Sequence, residues 1–411
     1  MGFFDDTDFG KQKASRSPQC GKCGLLNRCR NAKLGVKGFG KKQILVVVNG
    51  PTSHDDKMGD WEETDALARR LNEYGLSLDN DCWLTGAVIC TPNARGYPSA
   101  DQVRHCRPNL TGVIEELDPV VIITVGSAAT QGVISWDYGE GKDTRVSVWS
   151  GEAIPSQKLN AWVIPMQDPR EVDSEQDVML MDIKRTLRWA VSGTLSRPWP
   201  KKSPNYGDMV NVCMTEAEGE DAILSMLSDP RTEMLAIDYE TNSLKPETKD
   251  AAIHSISWSN GYDTMASPWF PKVREASRKA MRTTIPKIAC NLSFEERWTI
   301  QEFGHGIRNW KWDTMQAAHW MNQRPGITGI KFQAYAKLGQ PDYSSGITPY
   351  FKSKPNTLNK IRSLDMGKLL RYNGEDTILE LLVAIEQIKE AGYAWKVEND
   401  FPELRPQTIR Y

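Results

Sequence analysis

The run Leu235-Ala236-Ile237-Asp238-Tyr239-Glu240-Thr241-Asn242 sets two carboxylates two residues apart at the end of an apolar stretch. Side chains alternate along an extended strand, so Asp238 and Glu240 project from one face into one space. Two hard oxygen donors placed in this way suit a divalent cation such as Mg²⁺ or Mn²⁺. Taken alone, Asp238 also suits a strand-end turn before Asn242-Ser243. Far away in the chain, Cys20-Gly21-Lys22-Cys23 is a metal-type thiol pair, and Cys90 and Cys106 stand singly further on. A zinc ribbon would bring a second close pair, so this two-plus-one-plus-one layout fits zinc less well. Cys29, Cys82, Cys213 and Cys290 complete the eight cysteines. Small buried side chains are the plain reading for these four, with Cys29 near enough to rival Cys23.

The elements that must position these groups are α/β in kind. Gln43 to Val48, Trp83 to Val88 and Val120 to Val125 are near-continuous apolar runs, as expected of parallel strands covered on both faces. Helices are predicted between them at Glu62 to Tyr74 and Ala100 to Leu117. Three prolines within Ser196 to Pro204 read as a linker, because proline continues neither a helix nor a central strand. The expected organisation is a first domain over residues 1–195, a linker over 196–208 and a second domain over 209–411. The second domain opens with a predicted helix at Glu216 to Ser228, followed by the acidic strand, a strand at Ala252 to Trp258, and helices at Thr314 to Asn322 and Ser363 to Tyr393.

Bulk properties bound the function. The 411 residues suffice for two domains, and 39% apolar with 25% charged residues is ordinary for a globular chain. A net charge of -2 gives no global basic signature, so any nucleic-acid contact must come from local patches. Lys37, Lys41, Lys42, Arg95, Arg104, Arg107 and Arg170 are candidates for phosphate contact, or form a solvated face. Met1 to Asp6 lacks a basic region followed by an apolar core, and no run is long enough to cross a bilayer. A cytoplasmic location with reduced cysteines and no membrane partner is the expectation.

Two further motifs follow the acidic strand: Asn291-Leu292-Ser293-Phe294-Glu295 and Tyr372-Asn373-Gly374-Glu375-Asp376. The four-residue spacing of Tyr372 and Asp376 puts them on one helix face. Asp313-Thr314 precedes an apolar-periodic stretch and reads as an N-cap first and a functional residue second. In this order, with Ala334 to Gly339 between them, the motifs resemble the DEDDy 3′–5′ exonuclease domain of family A DNA polymerases. That resemblance implies a ribonuclease H-like (DnaQ-like) α/β fold and two Mg²⁺ or Mn²⁺ ions held by Asp238, Glu240, Glu295 and Asp376. It also implies that Tyr372 orients the attacking water. Glu295 departs from the family's usual Asp, and the extra methylene tunes the geometry of that ligand.

The cysteine half resembles the family 4 uracil-DNA glycosylases, whose four cysteines hold a [4Fe–4S] cluster. The likeness extends through Val36 to Gly40, Cys106-Arg107-Pro108-Asn109-Leu110 and Leu117 to Gly126. It implies a three-layer αβα domain and cluster ligation by Cys20, Cys23, Cys90 and Cys106. The family's pocket positions fall on Asn49 and Pro51, in place of its acidic motif, and on Asp168, in place of a His that stabilises charge on the departing base. The base-reading Asn falls on Gly86. Trp61 is either a stacking surface or a core Trp.

Together these readings predict a DNA-processing 3′–5′ exonuclease acting on single-stranded or frayed 3′ ends. Its glycosylase-like module binds DNA without excising uracil. An active glycosylase for a modified base and a non-catalytic DNA-binding subunit are the alternatives. By resemblance, a polymerase on a separate chain is the expected partner, in a bacteriophage replication or repair context.

Overall fold

The computed structural model describes residues 18–139, 142, 144–171, 177–193, 196–354, 356–395 and 397–407. The N-terminal segment read above for a secretory signal lies outside them. The chain packs as two compact units, one up to Ala153 and over Lys158–Pro198, the other over Ile154–Gln157 and Trp199–Gln407.

The first five strands of the chain, β1 (Ile44–Val48), β2 (Cys82–Gly86), β3 (Val121–Val125), β4 (Ile154–Ser156) and β5 (Ala161–Met166), form a sheet of order β2-β1-β3-β5-β4. β1 runs parallel to β2 and β3, with Ile44 opposite both Cys82 and Val121, and β3 runs parallel to β5. Ile44, Leu45, Val46 and Val47 are all buried, as the apolar run requires of a strand covered on both faces. The helix Ala100–Leu117 starts where the sequence places it. Ser99 Oγ accepts from Gln102 N at 3.3 Å and Gln102 Oε1 accepts from Ser99 N at 2.8 Å, which satisfies two otherwise orphaned donors.

The second unit holds strands β6 (Val210–Val212), β7 (Leu235–Thr241), β8 (Ile253–Ser259), β9 (Thr264–Pro268), β10 (Lys287–Ala289) and β11 (Trp310–Asp313) in the order β11-β10-β7-β8-β9-β6. β7 pairs antiparallel with β8 and parallel with β10. This mixed sheet agrees with the ribonuclease H-like expectation, and both units are α/β.

The acidic strand β7 is central and two-sided. Ile237 and Tyr239 pack with Trp298 of the helix Leu292–Phe303, whereas Ala236 packs with Ile378 and Leu382 of the 25-residue helix Met366–Glu390. By alternation Asp238 and Glu240 share the Ala236 face and look toward the long helix. Gly374 on that helix is required by packing, because a Cβ there would lie 2.3 Å from Val210 Cγ1. No helix among the described residues is long and apolar enough to cross a membrane.

Candidate functional site

Three of the acids found in the sequence meet. Ligand oxygens of Asp238, Glu240 and Asp376 lie within 4.8 Å of one another, and among the described residues no other set of three or more potential ligands does so. Two come from β7 and one from the long helix, whose side chains at 372, 376 and 380 share a face. Glu295, on the first turn of Leu292–Phe303, is 2% exposed and stands outside the 4.8 Å group. Its Oε2 is buried without a hydrogen-bond partner.

Burial is the largest influence on the Asp238, Glu240 and Glu295 carboxyls. It pushes Asp238 up to about 8, helped by the Asp376 charge and opposed by Lys331 and by the Asn373 hydrogen bond. Glu240 is raised by burial and then by Asp238 and Asp376. Glu295 is raised by burial and then by Asp238, so it lies near enough to feel the cluster electrically. Like charges gathered out of water are tolerated only when neutralised, by protons or by cations.

Tyr372 borders the cluster, tilted against Tyr343 and Phe351 at ring-centroid distances of 5.9 and 5.7 Å. Asn291 adopts the left-handed conformation (φ 69°) that turns the chain from β10 into the helix carrying Glu295. Asp313 fixes that turn by accepting from Asn291 N at 3.0 Å and Leu292 N at 3.1 Å. It also caps Thr314–Met321 through Met315 N at 2.9 Å. It therefore serves the N-termini of both helices.

Four residues here escaped the sequence reading. Lys331 pairs with Asp376 Oδ2, Tyr343 donates its hydroxyl to Asp376 Oδ1, and Asn373 Nδ2 donates to Asp238 Oδ2 at 2.6 Å. Glu380 is 2% exposed, with Oε2 unpartnered, and is raised by burial and then by Asp238 and Glu295. Its position four residues after Asp376 was a legible signal. Lys331 gave another, as a cation in the first turn of a helix, where acids are favoured. Tyr343 sits in a loop that carried no such signal.

In the first unit, Cys20, Cys23, Cys90 and Cys106 line one cavity with Leu25, Leu26, Ile89 and Asn109. Gln19 N donates to His105 O at 3.1 Å, tying the Cys20–Cys23 turn to the helix that bears Cys106. Asn109 Nδ2 donates to Cys106 Sγ at 3.3 Å. Cys29 does not line the cavity; its Sγ donates to Leu25 O at 3.3 Å. Four soft donors in an apolar wall fit an iron–sulfur cluster. A single tetrahedral zinc thiolate would instead draw its sulfurs to roughly 3.8 Å of one another, given Zn–S near 2.3 Å. No three of these sulfurs fall within 4.8 Å.

The second cavity of this unit opens at the carboxyl ends of its strands. Trp61, Asp168, Arg170, Thr52 and Asp55 line it. Asp168 is 2% exposed and clasped by Arg170, with Nη2 to Oδ2 at 2.7 Å. Asn49 turns elsewhere: its Oδ1 accepts from Ala128 N at 2.9 Å and Ala129 N at 3.2 Å, capping the helix Ser127–Asp137. Pro51 lies in the loop between Asn49 and Thr52. Trp61 is buried, its Nε1 donating to Gly35 O at 2.8 Å, and its ring abuts Gly86. Of the cations considered for phosphate contact, Lys37, Lys42, Arg104 and Arg170 are each paired with an acid.

The N-terminal region matches curated type-4 uracil-DNA glycosylases. It is 34% identical over 116 residues to one from Saccharolobus solfataricus, covering 27% of this chain and 53% of that protein. It is 30% identical over 120 residues to one from Sulfurisphaera tokodaii, covering 28% and 54%. The chain thus spans about half the length of the curated relatives it matches. No family model matches the chain. Among solved structures, Escherichia coli RNase D aligns at 16% identity and a TM-score of 0.34, covering 45% of this chain and 47% of that one. The catalytic core of RRP6 from Trypanosoma brucei aligns at 14% identity and a TM-score of 0.32, covering 47% and 51%. Brucella melitensis NrnC aligns at 16% identity and a TM-score of 0.30, covering 41% and 79%.

Proposed function

We propose that residues 209–411 form a metal-dependent 3′–5′ exonuclease acting on single-stranded or frayed DNA ends. Residues 1–195 are a glycosylase-like module, stapled by a [4Fe–4S] cluster, that engages nucleic acid without excising uracil. The observation that carries the nuclease reading is the convergence of Asp238, Glu240 and Asp376 within 4.8 Å, with Glu240 and Asp376 buried and Asp238 half-buried. Hard carboxylate oxygens packed this closely are the donor set that Mg²⁺ and Mn²⁺ take. Asp238, Glu240 and Asp376 would hold the cations, with Glu295 outside that ligand group but near enough to interact with Asp238. Bound cations supply Lewis-acid stabilisation of the charge that develops on the attacking and leaving oxygens.

The chain's own groups do the rest. Asn373 fixes the rotamer of Asp238, and Tyr343 fixes that of Asp376. Tyr372, on the same helix face as Asp376, offers its hydroxyl to orient water in line with the scissile phosphate. The surrounding burial keeps bulk water from competing for these positions.

For the first unit, the loss of excision is supported by Asn49, whose carbonyl oxygen is taken up by a helix N-terminus rather than aimed at water. Trp61 also fills the space where a base-reading side chain at position 86 would stand. The deciding experiment supplies Mn²⁺ and a 5′-labelled single strand to wild type and Asp238→Ala. Stepwise shortening from the 3′ end that vanishes in the variant supports the reading. Equal degradation by both proteins removes it.

A further inference from the structure

Lys331 occupies a position that helix physics alone does not favour. It stands in the first turn of Ile330–Leu338, where the exposed N–H groups and the helix dipole disfavour a cation. What it meets there is the acid cluster. Its ammonium pairs with Asp376 Oδ2 and sits 4.6 Å from the Tyr372 ring centroid and 5.4 Å from that of Tyr343. With the Tyr343 hydroxyl on Oδ1, both oxygens of Asp376 are engaged. Among the described residues, no other lysine or arginine pairs with Asp238, Glu240 or Asp376. Glu375, Glu380 and Cys290 are the other titratable groups that feel the Lys331 charge.

An ammonium in contact with Oδ2 and a divalent cation on the same carboxylate repel strongly in a poorly screened pocket. One of them must yield. Lys331 is able to, because 26% of its side chain is exposed and its stem is long and flexible. We propose that Lys331 is a resident counter-ion that competes with a divalent cation for Asp376, giving up the carboxylate on metal loading while staying beside Tyr372. The cluster is thereby kept neutral when no metal is bound, and metal affinity is lowered by the fraction of molecules in which Asp376 is free. This inference rests on the metal-dependent reading of the three acids and assigns Lys331 a positioning and regulatory part in it.

The test titrates Mn²⁺ into the full chain by calorimetry, comparing wild type, Lys331→Met and Lys331→Arg, with circular dichroism to verify that each is folded. Removing the ammonium is expected to tighten Mn²⁺ binding about tenfold, if Asp376 is free in roughly a tenth of wild-type molecules. Lys331→Arg, which keeps the cation, should stay near wild type. A side chain needed only for folding would weaken binding when removed. Unchanged or weaker Mn²⁺ binding by folded Lys331→Met would overturn the proposal. Degradation of a labelled strand is measured separately. A wild type that digests DNA while Lys331→Met binds Mn²⁺ unchanged removes the competition and leaves the nuclease. An inert wild type whose Lys331→Met variant binds Mn²⁺ more tightly leaves the counter-ion and removes the nuclease.

Discussion

Asn373 joins the acidic strand to the long helix: its Nδ2 donates to Asp238 Oδ2 at 2.6 Å, while its Oδ1 accepts from Ser255 Oγ at 3.0 Å. The serine fixes which way the amide points, so the NH₂ group faces the carboxylate. Because Asn373 follows Tyr372 and precedes Asp376 by three residues, one short stretch of helix sets the register of all three groups against β7.

Asn373→Ala therefore leaves the acids in place but frees the Asp238 rotamer. Partners of metal ligands typically contribute about 10- to 100-fold in metal affinity or activity. The variant should lose exonuclease rate in that range, with partial recovery at high Mn²⁺, measured on a labelled single strand. Wild-type rates at low Mn²⁺ would show that Asp238 needs no such support.

The buried carboxyls make stability depend on pH in a stated direction. Asp238 rises from 3.8 to about 8 on folding, so between those values the unfolded chain has released a proton that the folded chain retains. Its contribution is full below 3.8 and is lost as pH climbs toward 8. Glu240 and Glu295 shift the same way. In EDTA the melting temperature of the second unit should fall from pH 5.5 to pH 8, and saturating Mg²⁺ should restore it at pH 8. Asp238→Asn should flatten the slope. A flat profile in wild type would mean that the acids are already neutralised.

Much of this site was legible in the sequence, because strand alternation and helical spacing are local rules. Asp238 with Glu240 and Tyr372 with Asp376 follow from periods of two and four, and Glu216–Ser228 and Ala100–Leu117 begin at recognisable caps. The groups that satisfy or neutralise these acids were not legible as their partners: Lys331 stands out as a cation in a helix's first turn, but nothing in the sequence ties it to Asp376. Lys331 and Tyr343 reach Asp376 from separate segments, and only the tertiary fold brings them there. Asn49 illustrates the converse: it was read by its place in a motif, yet its carbonyl is engaged by the helix Ser127–Asp137, which begins nearly eighty residues later.

The thiols give a prediction that needs no substrate. Burial raises Cys90 to about 11 and also raises Cys106, so a cluster must bind these sulfurs as thiolates against that cost. Protein purified without oxygen should be brown, with broad visible absorbance from iron–sulfur ligation. Cys90→Ser should bleach it and Cys29→Ser should not, since Cys29 lies off the cavity. Colourless protein with stoichiometric zinc would reject the cluster.

The last prediction concerns the glycosylase-like pocket. A Cβ at position 86 would lie 2.3 Å from Val88 O and 2.8 Å from Trp61 Cη2. Any side chain there must displace either backbone or a buried indole, so Gly86→Asn should destabilise the first unit, and by more than a typical surface change of about 0.5 kcal/mol. It should not create uracil excision, because the Trp61 ring still fills the pocket. Pairing Gly86→Asn with Trp61→Ala relieves the ring contact but leaves Asp168 clasped by Arg170 and Asn49 committed to its helix. The double variant should therefore also leave uracil-containing duplexes intact. Alkali-labile abasic sites produced by wild type would show that water reaches the sugar by a route independent of Asn49.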